Sequence, residues 1–170
     1  MHTESMPAGW FAAGSRADYW MGIDPETTYG TATAAGIHAT TANPAGFATM
    51  MQQIKADVFR TKRVRFRGVV QTEDVRESAG LWLRIDGPHD TILAFDNMAD
   101  RPLFGTIGWS HYAIVVDVPE TSVAIAFGIL LVGAGRVWLA DVDFQTVGHD
   151  VATTTPPPLP ERPVNLTFTD

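Results

Sequence analysis

Glycine and proline interrupt this sequence roughly every ten residues, and the segments between them are rich in valine, isoleucine, phenylalanine, tryptophan and threonine. Short segments of that composition, separated by turn residues, are typical of antiparallel β-sandwiches and barrels. Helical periodicity is weak. The sequence therefore predicts an all-β fold, either a sandwich or a barrel.

Six segments are predicted as strands because they alternate or are apolar throughout. They cover residues 63–71, 80–86, 91–98, 109–118, 123–132 and 136–147. Residues 47–59 suit both a helix and a strand, and we prefer the strand. The predicted core contains Leu83, Ile85, Phe66, Val116, Phe127 and Ile129.

The 170-residue length and the composition, 45% hydrophobic and 18% charged, fit one globular domain. A net charge of −7, with only two lysines, makes nucleic acid an unexpected partner, because phosphate binding needs clustered basic residues. We expect residues 1–9 to be a flexible N-terminus, 10–150 the β-sandwich, and 151–170 an extended proline-rich tail. Residues 164–168 alternate enough to add an edge strand or to dock elsewhere.

The sequence contains no signal-like start and no apolar run of about 18 residues, so we expect a cytoplasmic protein without a membrane partner. It contains no cysteine, its five histidines lack metal-binding spacing, and no serine lies in a Gly-x-Ser-x-Gly elbow. Its glycine-rich stretches lack the context of nucleotide-binding loops. We expect no cofactor and no catalytic metal.

Four segments carry a family resemblance: FRTKRVRFRGVVQTEDV, GLWLRIDG, GWSHYAIVVDVP and GRVWLADVDF. Over residues 10–147 the chain resembles the galactose-binding-like jelly-roll superfamily, which includes many carbohydrate-binding modules. The resemblance implies a two-sheet antiparallel jelly-roll sandwich. The stretch LAFDNMADRPLFGTIGW resembles a bacterial group of domains, some of them attached to AraC-type regulators, although this sequence contains no helix-turn-helix segment.

The acids of the last predicted strand determine whether a structural calcium site is expected. In carbohydrate-binding relatives an acid at this strand often helps to hold calcium, and many relatives carry two consecutive acids. Here Asp141 and Asp143 are expected to share a face by alternation, while Ala140 replaces the adjacent acid. The resemblance therefore leaves calcium near Asp141 open.

A candidate ligand face lies on residues 80–86. Alternation sends Leu81, Leu83 and Ile85 into the core and places Trp82, Arg84 and Asp86 together on the outer face. An indole stacks on apolar rings, while charged groups orient polar ones. The alternative to a ligand site is an ordinary exposed face that carries an Arg–Asp pair and one tryptophan packed under a loop.

We expect Asp96, on the hairpin partner, to join Trp82 and Arg84 in one ligand site. Asp96 also suits a loop staple, in which Arg101 bridges Asp96 or Asp100 and Asn97 caps a turn. Further expected contributors are Gln53 and Arg67, with Trp20 or Trp109 as a wall of the site.

Two functions compete most closely. The first is a binding domain for a small molecule or a sugar-like ligand. The second is a cofactor-independent cyclase or isomerase of secondary metabolism, acting on a polyketide-like or terpenoid-like substrate. An interaction or sensor domain that uses a sheet edge is a third. The sequence does not determine the oligomeric state, and it is compatible with a homo-oligomer.

Overall fold

The computed structural model describes residues 5–155 and 161–169, and within them the chain forms nine strands. They are β1 (Phe11–Gly14), β2 (Tyr19–Tyr29), β3 (Ala32–Ala39), β4 (Phe47–Lys55), β5 (Arg63–Asp86), β6 (Ile92–Asp96), β7 (Leu103–Asp117), β8 (Ala124–Val132) and β9 (Arg136–Val147). Helical structure in these residues is limited to three-residue 3-10 turns. The all-β prediction is confirmed, and the ambiguous segment at residues 47–59 is mainly strand.

All strand pairs are antiparallel, and hydrogen bonds join them into one sheet that curls around a single core. Strand β5 belongs to both halves, because residues 78–86 pair with β8 and residues 63–73 pair with β9. We call β1-β4-β8-β5-β6 the front half-sheet and β7-β5-β9-β3-β2 the back half-sheet. This arrangement is the predicted jelly-roll sandwich.

The 24-residue strand β5 replaces the two separate strands predicted at 63–71 and 80–86. The intervening residues are mostly polar, yet their backbone continues to pair with β7 through several register shifts. Val75 and Ala79 are buried in this stretch and fix it to the core. Polar side chains did not end the strand because the ladder still satisfies the backbone groups.

The core lies between the two half-sheets. All six predicted core residues are at most 4% exposed, so the predicted core is confirmed. Leu81, Leu83 and Ile85 also lie in this core, while Trp82 belongs to a separate cluster on the other side of the front half-sheet. Full burial of one large apolar side chain stabilises the fold by roughly 1.5–3 kcal/mol.

Both ends of the described range 5–155 contact the sandwich. The backbone N–H of Ile23 donates to the carbonyl of Ser5 at 2.8 Å, and the N–H of Thr154 donates to the carbonyl of Val115 at 2.9 Å. Residues 1–4 of the expected N-terminal segment and 156–160 of the expected tail lie outside the described residues. Residues 164–168 are exposed and contain a turn, so the edge strand considered there is not formed.

No helix in the described ranges is both long and apolar enough to cross a membrane.

Candidate functional site

A groove of about 420 Å³ crosses the outer side of the front half-sheet, and we call it the front groove. Its lining is mainly apolar and comes from strands β1, β4, β5, β6 and β8 and the residue after β6. The lining residues are Ala13, Phe47, Thr49, Met51, Trp82, Arg84, Phe95, Asn97, Leu130 and Val132. Phe47 and Phe95 are 45% and 50% exposed, which leaves apolar ring surface facing solvent.

Trp82 forms the base of the front groove and is 7% exposed. Its indole Nε1 donates to Oγ1 of Thr49 at 2.8 Å, and that hydroxyl donates to the carbonyl of Ile129 at 2.8 Å. Gly128 lies between Met51 and Trp82 in the register and has no side chain to fill the base. The indole is therefore held in one orientation with its polar atom satisfied.

Arg84 lies on the same outer face, as alternation predicts. Its guanidinium Nε and Nη2 donate to the two carboxylate oxygens of Asp86 at 2.7 and 3.0 Å. Asp86, which alternation places on the same face, therefore balances the charge of Arg84. Gln53 pairs with Ala126, which in turn pairs with Arg84, so Gln53 shares this face and is exposed beyond the groove.

Asp96 does not join Trp82, so its expected place beside Trp82 and Arg84 is wrong. The register pairs Asp86 with Ile92 but Ile85 with Ala94, which makes Leu93 an extra residue in β6. Without that bulge Asp96 would lie opposite Trp82. With it Asp96 lies opposite Leu83, whose side chain points to the core.

Asp96 forms the loop staple that the sequence also suggested. Its carboxylate accepts hydrogen bonds from Arg101 Nη2 at 2.9 Å, Thr154 Oγ1 at 2.6 Å and the N–H of Met98 at 2.9 Å. Arg101 also donates to Asp100 at 2.6 Å. Burial alone would raise the pKa of Asp96, but these hydrogen bonds outweigh burial and lower it.

The remaining expected contributors lie on the back half-sheet and therefore form no wall of the front groove. Arg67 pairs with Asp143, with Nε 3.3 Å from a carboxylate oxygen. Trp109 contacts Tyr29 with ring centroids 5.6 Å apart. Trp20 lines a different groove. Trp82 lies on the front half-sheet, so the core of the sandwich separates it from these three residues.

That second groove, about 530 Å³, lies on the outer side of the back half-sheet, and we call it the back groove. Its lining combines aromatic rings with charged and amide groups. The lining residues are Trp20, Asp24, Glu26, Thr27, His38, Gln71, Glu73, Arg136 and Trp138. The sequence of β9 does indicate that Trp138 faces outward, because Trp138 alternates with the core residues Val137 and Leu139.

Asp24 lies deep in the back groove and is 8% exposed. One carboxylate oxygen accepts from Trp138 Nε1 and Thr27 Oγ1, both at 2.9 Å, and the other from the N–H of Glu26 at 3.1 Å. Burial alone would raise the pKa of Asp24, but these hydrogen bonds, helped by the nearby His38, lower it. The carboxylate is therefore ionised at neutral pH.

Three rings form a layer on the floor of the back groove. The imidazole of His38 lies 4.9 Å from the Trp20 ring and 5.1 Å from the Trp138 ring, centroid to centroid. Gly36 allows the layer to form, because a Cβ there would come within 2.9 Å of the Trp138 indole. The three rings come from different strands, and their proximity depends on the pairing of β3 with β2 and β9.

A third concavity, about 300 Å³, opens between the half-sheets and is lined mainly by apolar residues that include Trp10, Met50 and Leu139. Asp141 also lines it. Asp141 and Asp143 do not share a face, contrary to the expectation. A register shift in β9 and a positive φ of 49° at Asp141 break the alternation, so that Asp143 pairs outward with Arg67.

No family model matches the sequence. The chain is 42% identical over 172 residues to an uncharacterised HTH-type transcriptional regulator, YbfP, of Bacillus subtilis (strain 168). The match covers 98% of this chain and 58% of the regulator, so the chain spans less than two thirds of that relative's length.

Solved structures that are similar in fold include a xylan-binding domain and a cyclase. The CBM22-1 xylan-binding domain of Paenibacillus barcinonensis Xyn10C superposes with a TM-score of 0.60 at 14% identity, covering 85% of this chain and 89% of that domain. The Stig cyclase Fisc of Fischerella sp. TAU superposes with a TM-score of 0.53 at 14% identity, covering 85% and 88%. At such identities the likeness concerns the fold alone. The chain thus has the jelly-roll fold of carbohydrate-binding modules and cyclases, and it is similar in sequence to part of a transcriptional regulator.

Proposed function

We propose that this domain binds a small amphipathic or sugar-like molecule in the front groove. The observation that carries the proposal is an open, mainly apolar groove with an indole at its base and a guanidinium in its lining. Trp82, Phe47 and Phe95 supply ring surface against which a flat apolar face packs. Arg84, fixed by Asp86, donates hydrogen bonds to a polar group of the ligand.

The shape and lining of the front groove favour binding over catalysis. The groove is open to solvent, whereas reactions of unstable intermediates need a site that excludes water. Arg84 is the one charged side chain in the described lining, and Asp86 already balances its charge. A single neutralised guanidinium orients a ligand but provides no acid–base pair.

The relatives support a binding role that is used for sensing. A transcriptional regulator similar over nearly this whole chain suggests that the domain supplies the signal-binding part of such a protein. In that role the ligand is an intracellular metabolite, and the domain acts in the cytoplasm. The likeness to a xylan-binding domain supports a sugar-like ligand.

A second candidate function is a cyclase or isomerase that uses the concavity between the half-sheets. The specific observation is a carboxylate, Asp141, among the mainly apolar residues that line this opening. A carboxylate beside an apolar cavity provides a general acid or base for rearrangement of a hydrocarbon-rich substrate. The likeness to a Stig cyclase supports this alternative.

Native mass spectrometry of freshly purified protein, followed by titration with any ligand recovered, tests the first proposal. When nothing is recovered, the probes are xylo-oligosaccharides and indole, with binding followed by calorimetry and by NMR shifts. We expect Arg84→Ala and Trp82→Phe each to weaken binding about tenfold, which corresponds to about 1.4 kcal/mol.

Trp20→Ala is the matched control, because Trp20 is a partly exposed tryptophan on the other half-sheet. Binding that survives both front-groove substitutions but is lost in Trp20→Ala contradicts the proposal. For the cyclase alternative, turnover of a recovered ligand that disappears in Asp141→Asn and persists in Arg84→Ala would favour catalysis between the half-sheets.

A further inference from the structure

Among the described residues that line the front groove, the side-chain groups left free for a ligand are hydrogen-bond donors. The lining side chains with polar atoms are Thr49, Trp82, Arg84 and Asn97. Trp82 donates to Thr49, which is 4% exposed and in turn donates to the carbonyl of Ile129, so this pair is satisfied within the protein. The polar contacts available to a ligand therefore come from Arg84 and Asn97.

Arg84 keeps donors free although it is paired with Asp86. Its Nε and Nη2 each donate one hydrogen bond to that carboxylate, and the guanidinium has further N–H groups on Nη1 and Nη2 that these two bonds do not use. Asp86 is one outward position further along β5 and is not part of the described groove lining. A group held over Trp82 therefore meets the guanidinium before it meets the carboxylate.

Asn97 is the second donor, because its amide oxygen is already used. Oδ1 accepts from the N–H of Ala99 at 3.1 Å, which leaves the N–H groups of Nδ2 as the free part of the amide. The register pairs Leu83 with Asp96, and its continuation places Asn97 beside Trp82. The indole at the base of the groove thus has a donor next to it along β5 and another across from it.

The bulge in β6 decides which group lies beside Trp82. Without the extra residue Leu93, Asp96 would take the position that Asn97 holds. The bulge therefore places an amide donor at the groove and directs the carboxylate of Asp96 to Arg101 instead. As a result, the described lining of the front groove contains no carboxylate.

We propose that the ligand of the front groove is a flat apolar molecule that carries a carboxylate, an assignment that rests on the binding function proposed above. The ring of the ligand packs on Trp82, and its carboxylate oxygens accept charge-assisted hydrogen bonds from Arg84 and Asn97. An ammonium group meets no free side-chain acceptor in the described lining. A polyol is also less favoured, because its hydroxyl groups need acceptors as well as donors.

Calorimetry and NMR with three matched probes, indole-3-acetate, tryptamine and indole, test this assignment. The probes share one ring, and their polar substituent is a carboxylate, an ammonium group or absent. We expect indole-3-acetate to bind about tenfold more tightly than either of the others, the usual effect of hydrogen bonds to a charged group. Binding should shift the NMR signal of the Trp82 Nε1–H, which locates the probe in the front groove.

Asn97→Asp tests the donor directly, because it keeps the shape of the side chain and an oxygen for the Ala99 N–H but replaces the free donor by a negative charge. It should weaken indole-3-acetate binding about tenfold without weakening tryptamine binding. Gln71→Glu is the matched control, since it adds the same charge on the back half-sheet and should leave the preference unchanged. If Asn97→Asp lowers the stability of the fold, Arg84→Gln tests the same preference through the other donor, and the preference should then fall about fivefold or more.

The possible failures of this assignment and of the binding function are distinguishable. Equal binding of the three probes with shifts at Trp82, or a preference that survives both Asn97→Asp and Arg84→Gln, would overturn the assignment and leave the binding function standing. A Trp82 signal that shifts with xylo-oligosaccharides and with none of the indole probes would have the same consequence. A Trp82 signal that shifts with neither class of probe would overturn both.

Discussion

The indole Nε1 of Trp82 on β5 donates a 2.8 Å hydrogen bond to Oγ1 of Thr49 on β4, across the intervening strand β8. Thr49 is 4% exposed and in turn donates to the carbonyl of Ile129 on β8. Three strands of the front half-sheet are therefore linked by side-chain hydrogen bonds as well as by their backbone ladder. The linkage lies directly under the proposed ligand.

Replacement of Thr49 by valine should destabilise the protein by about 1–3 kcal/mol, because the Trp82 N–H is then buried without an acceptor. Trp82→Phe removes the donor. The double variant Thr49→Val with Trp82→Phe should therefore be more stable than the sum of the single losses implies. Urea unfolding of the four proteins measures this coupling. Strictly additive losses would mean that the hydrogen bond contributes nothing to stability.

Gly128→Ala should lower stability by about 1–3 kcal/mol, because the new Cβ would overlap the carbonyl oxygen of Met50. The backbone of β4 must then move away from β8, which also disturbs the base of the front groove. Gly108→Ala is the matched control, since a Cβ there meets nothing within 4 Å. Thermal unfolding should separate the two variants, and similar midpoints would contradict the close approach.

Asp96→Asn should destabilise the protein at pH 7 by about 1.5–3 kcal/mol, the usual value for hydrogen bonds to a charged group. The folded pKa of Asp96 is lowered relative to an unfolded value of about 4, so its stabilisation is fully present above that value. It is lost as the pH falls through the folded pKa. Urea unfolding from pH 7 to pH 3 should show the two proteins converging at low pH. A constant difference would mean that the charge of Asp96 is not involved.

Arg63→Ala should loosen the segment after β9. The Arg63 guanidinium forms two hydrogen bonds with Asp117, at 2.7 and 3.0 Å, and its Nη1 donates to the carbonyls of His149 and Val151, at 3.0 and 2.6 Å. Hydrogen exchange should accelerate over residues 149–155 in this variant. Arg67→Ala is the control. Arg67 also extends from β5 and pairs with an aspartate, but that partner, Asp143, lies within β9 and not in the segment after it. Equal exchange in both variants would contradict the anchoring role.

Alternation predicted the front half-sheet well because its strands bury one face and expose the other. It placed Leu83 in the core and Trp82 and Arg84 on the outer face, as observed. The same rule failed wherever one residue was inserted. Leu93 in β6 moved Asp96 to the core face, and the register shift at Asp141 separated it from Asp143.

Such bulges leave little trace in sequence, because their cost and their benefit both depend on the neighbouring strand. The back groove was missed for a related reason. Trp20, His38 and Trp138 come from β2, β3 and β9, and their proximity follows from pairing between distant segments. No local pattern encodes that pairing.

Strand β9 pairs with both β3 and β5 and lies between these two strands in the back half-sheet. During synthesis, β2 and β3 can form a hairpin early, but they have no partner in the rest of the sheet until residues 136–147 leave the ribosome. The nascent chain therefore carries an unpaired edge until β9 has been made, the kind of surface on which chaperones act and aggregates nucleate. The back groove can therefore assemble only after β9 has been made, since Trp138 lies on that strand.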